Sequence, residues 1–219
     1  VDQGGVAAET DVWAMRLDAQ GDPMDIAPIL VGGGPFPQTL PRAAWNGTDW
    51  LVVWQSERPT AFFRTRNVVA ARVSAAGEVL DDPPLVIDDA DDVDEQPWDV
   101  ASDGSAWAVF WLDVANGNFV LDGATVTAGG VVSAPVRIVT PSSSLYAPVN
   151  VRAEWAVNRY LLAYSRWGTN ASSSDDVYAR LLDAGLNAAG GEISVATVAG
   201  WDQVFPSVGS DGTGVYVAW

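Results

Sequence analysis

The chain has 219 residues, with 28 acidic against 11 basic side chains, a formal net charge of −17, and neither Cys nor His. Those absences exclude disulfides, thiol nucleophiles, Cys/His zinc sites, the Ser-His-Asp triad and any imidazole base. The negative field disfavours nucleic acid and anionic lipid as partners, and no apolar run approaches the roughly 18 residues that a membrane helix needs.

Two phrases alternate along the chain. The first apolar strand is Val12 to Gly21 (VWAMRLDAQG), which ends at a glycine turn. Pro41 to Trp54 (PRAAWNGTDWLVVW) then reads as a short strand at 42–45, an Asn46-Gly47 hairpin turn and an apolar strand over 49–55. A polar loop covers 56–66, and 67–74 (NVVAARVS) forms a third strand closed by Ala75-Ala76-Gly77. The fourth strand, over 78–87, is interrupted by Pro83-Pro84 and so belongs at a sheet edge, because proline cannot donate to a ladder. The same order recurs in Pro97 to Trp111 with Leu121 to Gly130, and in Pro148 to Tyr164 with Val177 to Leu186, the last slipped by about one residue. The chain closes on Pro206 to Trp219 (PSVGSDGTGVYVAW). No window keeps a helical period.

The four prolines stand 56, 51 and 58 residues apart, and joining the chain ends gives a fourth step of 54. A fixed period of about 55 residues with four strands per unit is the signature of propeller blades. The expectation is an all-β, four-bladed β-propeller in one domain over 1–219. Its blades are 41–96, 97–147, 148–205, and a shared one made of 206–219 plus 1–40, with the ring closed by pairing of the N- and C-terminal strands. An open part of a larger ring, and two chains forming one eight-bladed ring, are the alternatives. Trp54, Trp111, Tyr164 and Trp219 hold one place in every unit and are expected to pack between blades.

Variable loops on a repeated scaffold are where specificity resides. The loop 55–67 (QSERPTAFFRTRN) carries Phe62, Phe63, Arg64 and Arg66, and Arg166 with Trp167 makes a second patch. Adjacent rings and guanidinium groups suit stacking on a sugar or recognition of a carboxylate; the structural alternative has the Phe pair capping the core and the arginines pairing with nearby Asp. The acidic run Asp88, Asp89, Asp91, Asp92, Asp94 and Glu95 suits a hard cation such as Ca²⁺, though not in EF-hand spacing; a solvated inter-blade loop is the other reading. Paired carboxylates for glycoside hydrolysis are the one catalytic chemistry left without a metal, with Glu57, Glu154 and Glu192 the first to test.

The phrases DVWAMRLDAQG, WNGTDWLVVW and DVYARLLDAG resemble a repeat of large secreted bacterial proteins, of the form P-x-A-x-D-G-x-x-Y-L-V-V-W followed by D-V-Y-A-x-R. The likeness runs through all four units and is weakest in the third. It implies a β-propeller exported from or displayed on a bacterium, and it brings no catalytic residue with it. The function expected is therefore a non-enzymatic extracellular binding or adhesion module for a glycan or a surface protein, acting as monomer or dimer without nucleic acid or membrane insertion. A spacer domain of a larger surface protein and a glycoside hydrolase or lyase are the alternatives.

Overall fold

The computed structural model describes residues 10–59, 64–89, 94–115, 118–140, 148–167, 174–198 and 200–219, and every regular element among them is a strand. The chain opens with a two-stranded sheet, β1 (Val12–Ala14) and β2 (Ile29–Gly32). Three four-stranded antiparallel units follow. The first is β3 (Gln38–Trp45), β4 (Asp49–Pro59), β5 (Arg64–Ser74) and β6 (Leu85–Asp88). The second is β7 (Asp94–Ser102), β8 (Ala106–Ala115), β9 (Asn118–Thr127) and β10 (Val136–Val139). The third is β11 (Val149–Ala156), β12 (Arg159–Trp167), β13 (Asp175–Leu182) and β14 (Ile193–Ala196). A two-stranded sheet, β15 (Ser207–Ser210) and β16 (Val215–Ala218), ends the chain. One parallel bridge, Arg66 to Asp94, links the first unit to the second.

Turn chemistry sets these elements. In the inner hairpins the carboxyl or amide oxygen of the first turn residue takes the backbone N–H groups ahead of it. Asn46 Oδ1 accepts from Thr48 and Asp49 at 2.9 and 2.8 Å, and Asp103 Oδ1 accepts from Ser105 and Ala106 at 2.8 Å. Asp211 repeats the device with Thr213 and Gly214. In the third unit Val157 and Asn158 take positive φ of 51° and 59° instead. The outer turns recur four times, with bridges Leu17–Pro23, Val73–Val79, Val126–Val132 and Leu182–Ala188. Their left-handed residue is Gly21, Gly77, Gly130 and then Leu186, which is the one-residue slip seen in the fourth copy. The fourth strand of the first full unit is shorter than expected. It begins at Leu85, after Pro83-Pro84, and lies outermost as an edge.

The units stack face to face. Leu51, Val53, Val68 and Ala70 of the first full unit pack with Trp107, Val109 and Trp111 of the second. Phe110 and Leu121 of the second pack with Tyr160, Leu162 and Tyr164 of the third. Val12 and Val31 of the opening sheet pack with Val52 and Trp54. Each repeated aromatic thus meets the sheet before it. Trp54, Trp111 and Tyr164 are fully buried, but Trp219 is 57 % exposed, because no outer strands flank β16 among the described residues. The terminal strands do not pair in one sheet; β1–β2 and β15–β16 stand as separate two-stranded sheets.

Two devices fasten the boundaries. Gly32, at the end of β2, lies against the Trp54 indole so closely that a Cβ there would meet Trp54 Cζ2 at 2.4 Å. Asp88, at the matching end of β6, accepts a hydrogen bond from Trp111 Nε1 at 3.0 Å. On the outer turns, Arg16 pairs with Asp25 and donates to the Ala75 carbonyl of the next unit, while Arg72 pairs with Asp81 at 2.8 Å and donates to the Ala128 carbonyl. Replacing Gly32 with Ala is expected to lower stability by about 1–3 kcal/mol through overpacking, read by urea denaturation, whereas Gly129→Ala, whose Cβ meets only ordinary contacts, should cost less than about 1 kcal/mol.

Candidate functional site

Antiparallel order sends the chain's connections to two opposite faces. The repeated tight turns after β3, β7, β11 and β15, and after β5, β9 and β13, gather on one face. The ends of β4, β8 and β12, the starts of β5, β9 and β13, and the crossings between units gather on the other, and these connections do not repeat. Of the residues expected to bind, Arg66 and Arg166 stand toward this second face, at the start of β5 and the end of β12. Phe62, Phe63, Asp91 and Asp92 lie outside the described residues. Arg64, Asp94 and Trp167 are placed by backbone on β5, β7 and β12, with Arg64 opposite Pro59 and Trp167 opposite Asp175.

Hairpin β4–β5 runs beyond the end of its pairing with β3 at Ser56, carrying Glu57, Arg58 and Arg66 outward. Arg66 is half exposed and lies 3.8 Å from Glu57; Arg58 is equally exposed and lies 4.0 Å from Asp89. Surface pairs at such distances contribute little, on the order of 0–1 kcal/mol. Arg166 is engaged differently. Its guanidinium stacks on the Tyr178 ring at 3.9 Å and pairs with Glu192, which also accepts from the Tyr164 hydroxyl at 2.6 Å. Burial, and then Glu192, pushes the Tyr164 phenol well above its ordinary range. Arg166 therefore knits the third unit together, apart from the Arg58–Arg66 group.

In the acidic run, Asp88 serves the Trp111 indole and Asp89 faces Arg58. Among the described residues no group of three or more acids is arranged to hold a metal ion. The three glutamates considered for hydrolysis are dispersed: Glu57 on β4 beside Arg66, Glu192 beside Arg166, and Glu154 on the inner strand β11.

A further row lies on the innermost strands. Arg42, Asp99, Arg152 and Ser207 each stand twelve residues before the repeated aromatic. They pair with Val53, Phe110, Ala163 and Ala218 at equivalent places in their sheets. Arg42 Nε donates to the Trp98 carbonyl at 3.0 Å, and Asp99 Oδ2 accepts from Ala153 N–H at 2.9 Å, so these two members reach into the next unit. Burial raises the Asp99 carboxyl despite N–H donors from Ala153 and Val100 and the nearby charges of Arg152 and Arg42. Burial, and then Asp99, raises Glu154 as well. The row keeps a constant distance from the aromatic but not from the proline, because β3, β7 and β11 each carry a bulge.

The structure also holds a hollow of about 590 Å³ between the opening sheet and the first full unit, lined by Met15, Leu17, Met24, Trp45 and Trp50. The two indoles lie 5.2 Å apart at 49°, and each ring residue is 39 % exposed.

No protein-family model matches the sequence, and no curated protein is similar to it in sequence. Among solved structures the chain is similar to the GH32 beta-fructofuranosidase of Bombyx mori, with a TM-score of 0.53 and 10 % identity over 87 % of this chain and 44 % of that one. It is similar to a mutant of the same enzyme in complex with sucrose, with a TM-score of 0.52 and 10 % identity over 87 % and 45 %. At that identity the likeness is one of fold, and the chain spans less than half the length of these enzymes. The class defined is an all-β, β-propeller-like protein of stacked four-stranded antiparallel sheets.

The inner row yields a test by acid titration. A carboxyl raised on folding contributes stability that is complete below its unfolded value and is lost as pH rises through its folded value. Asp99→Asn should therefore flatten the fall in stability on the alkaline side of the ordinary Asp range. Asp99→Ala, which strands the buried Ala153 N–H, should cost about 1–3 kcal/mol, measured by urea denaturation from pH 3 to 7.

Proposed function

We propose that this chain is a non-enzymatic extracellular binding module, secreted by or displayed on a bacterium, that recognises a glycan or a surface protein through its non-repeating loop face. One observation carries the reading. The topology gathers the connections that differ between repeats onto one face, while the opposite face carries the tight turns, whose outer set repeats the same backbone hydrogen bonds in all four copies. The β4–β5 hairpin projects there with Arg58 and Arg66, each half exposed, and the chain between its strands supplies Phe62 and Phe63. Planar guanidinium groups beside aromatic rings suit sugars and carboxylates. The resemblance to secreted bacterial repeats supports export, and the four repeats count as four blades, one of them divided between β1–β2 and β15–β16.

A second reading rests on the inner row. Asp99 and Glu154 lie on adjacent inner strands, each raised by burial, beside Arg42 and Arg152. The neighbours similar in fold are named as β-fructofuranosidases, one of them holding sucrose. A glycoside hydrolase would use such a pair with one acid protonated. Against it, Asp99 already accepts two backbone N–H groups, which leaves it little freedom to move a proton.

Glycan arrays and surface-protein pull-downs with the whole chain separate the readings. Binding is expected, weakened at least about tenfold by Phe63→Ala or Arg66→Ala with the melting temperature unchanged. Silence on both would leave a spacer domain. Turnover of sucrose or a fructan, abolished by Glu154→Gln, would establish the hydrolase instead.

A further inference from the structure

The two incomplete sheets expose residues whose counterparts are buried everywhere else in the stack. Trp50, Trp107 and Tyr160 hold one position, four residues before the repeated aromatic. Trp107 is 0 % and Tyr160 1 % exposed, while Trp50 is 39 % exposed and lines the hollow. Trp107 is covered because the preceding unit supplies inner strands: its Nε1 donates to the Ala44 carbonyl of β3 at 3.0 Å. Trp50 has no such neighbour, since no described strand lies on the inner side of β1.

The other end of the chain shows the complement. Leu51, Ala108, Leu161 and Tyr216 share a position, and only Tyr216 is exposed, at 70 %. Leu51 faces the following unit in the cluster with Trp107, and Tyr216 offers the same face with no described strand covering it. In the opening segment, Trp13 on β1 and Met15 and Leu17 just beyond it stand where Val69, Ala71 and Val73 stand on β5; the first three are exposed and the last three buried. One edge of β16 is bonded to β15 and the other to no described strand, and β1 is bonded only to β2. In the complete units these two edges pair with each other, as β4 with β5. Inside the chain these strands lie in separate sheets, and β15 packs against β11 and β12.

We propose that the β15–β16 hairpin of one copy seats in the hollow of a second copy. Strand β16 pairs antiparallel with β1 in the register that places Trp219 opposite Trp13, as Trp54 stands opposite Val69. Tyr216 packs on Trp45 and Trp50, and a complete four-stranded sheet forms across two molecules. The joint continues an interface that the chain already builds three times. It is head-to-tail: each copy presents one hairpin and one hollow, so two copies can close on each other into a ring. It also covers unpaired strand edges that would otherwise template indiscriminate association.

Sedimentation velocity on the whole chain from about 1 to about 100 µM tests this by mass action. The sedimentation coefficient should rise with concentration toward a dimer. Tyr216→Asp, which spoils the hairpin, and Trp50→Asp, which spoils the hollow, should each hold the chain monomeric. Mixed one to one, the two variants should form a heterodimer, because one intact joint remains between them. Wild-type chain that stays monomeric throughout overturns the proposal, as does a mixture of folded variants that stays monomeric. Should either variant fail to fold by circular dichroism, Tyr216→Ser replaces it at the hairpin and the wild-type series alone decides.

Discussion

An aromatic ring closing the second strand of each unit, pressed against the sheet before it, is the interaction on which the rest of this molecule depends. A four-stranded sheet with two apolar faces cannot cover both alone, so it requires neighbours. Trp54, Trp111 and Tyr164 supply the largest buried surfaces at those boundaries, and their polar ends are satisfied by Gln38, Asp88 and Glu192 respectively. The partner surface is adapted to each ring. Gly32 removes a side chain where the Trp54 indole lies flat, and Asp88 at the matching place offers an acceptor to Trp111. Trp219, beside which no described outer strand lies, is exposed.

The unusual charge of the chain follows from the same architecture. Aspartate recurs because the turns use it: Asp18, Asp103, Asp183 and Asp211 each accept backbone N–H groups two to four residues ahead. The Asn187 N–H holds Asp183 below the usual carboxylate range, and the Gly214 N–H does the same for Asp211. Arginine is used sparingly and mostly for structure. Arg16 and Arg72 tie one outer turn to the next, Arg137 grips Asp122, and Arg166 grips Glu192. Gly77 fits this scheme twice, by its positive φ and by the space it leaves for the Arg16 guanidinium. Arg58 and Arg66 are half exposed and stand on the face that varies between repeats.

Much of the fold was legible because hairpin signals and apolar alternation act locally. Asn46-Gly47, Asp103-Gly104 and Asp211-Gly212 mark their turns, and the period follows. What escaped was set by distance or by backbone irregularity. The pairing of Arg72 with Asp81 depends on a turn that brings residues nine apart together. The equivalence of Arg42, Asp99 and Arg152 is masked by a bulge in each inner strand. The expected pairing of the first and last strands is not formed among the described residues, where β1–β2 and β15–β16 are separate sheets. For the loop residues, side-chain type indicated a role for Arg66 and Arg166 alike, and only the ring of Tyr178 and the carboxylate of Glu192 tell them apart.

A stack whose units are covered on both sides only in the middle should be most stable there. Hydrogen exchange on the dilute chain measures this strand by strand. Amides of β8 and β9 should exchange last, those of β4, β5, β12 and β13 next, and those of β1, β2, β15 and β16 far earlier. Uniform protection from end to end, or exchange of β8 as early as β16, would contradict that order.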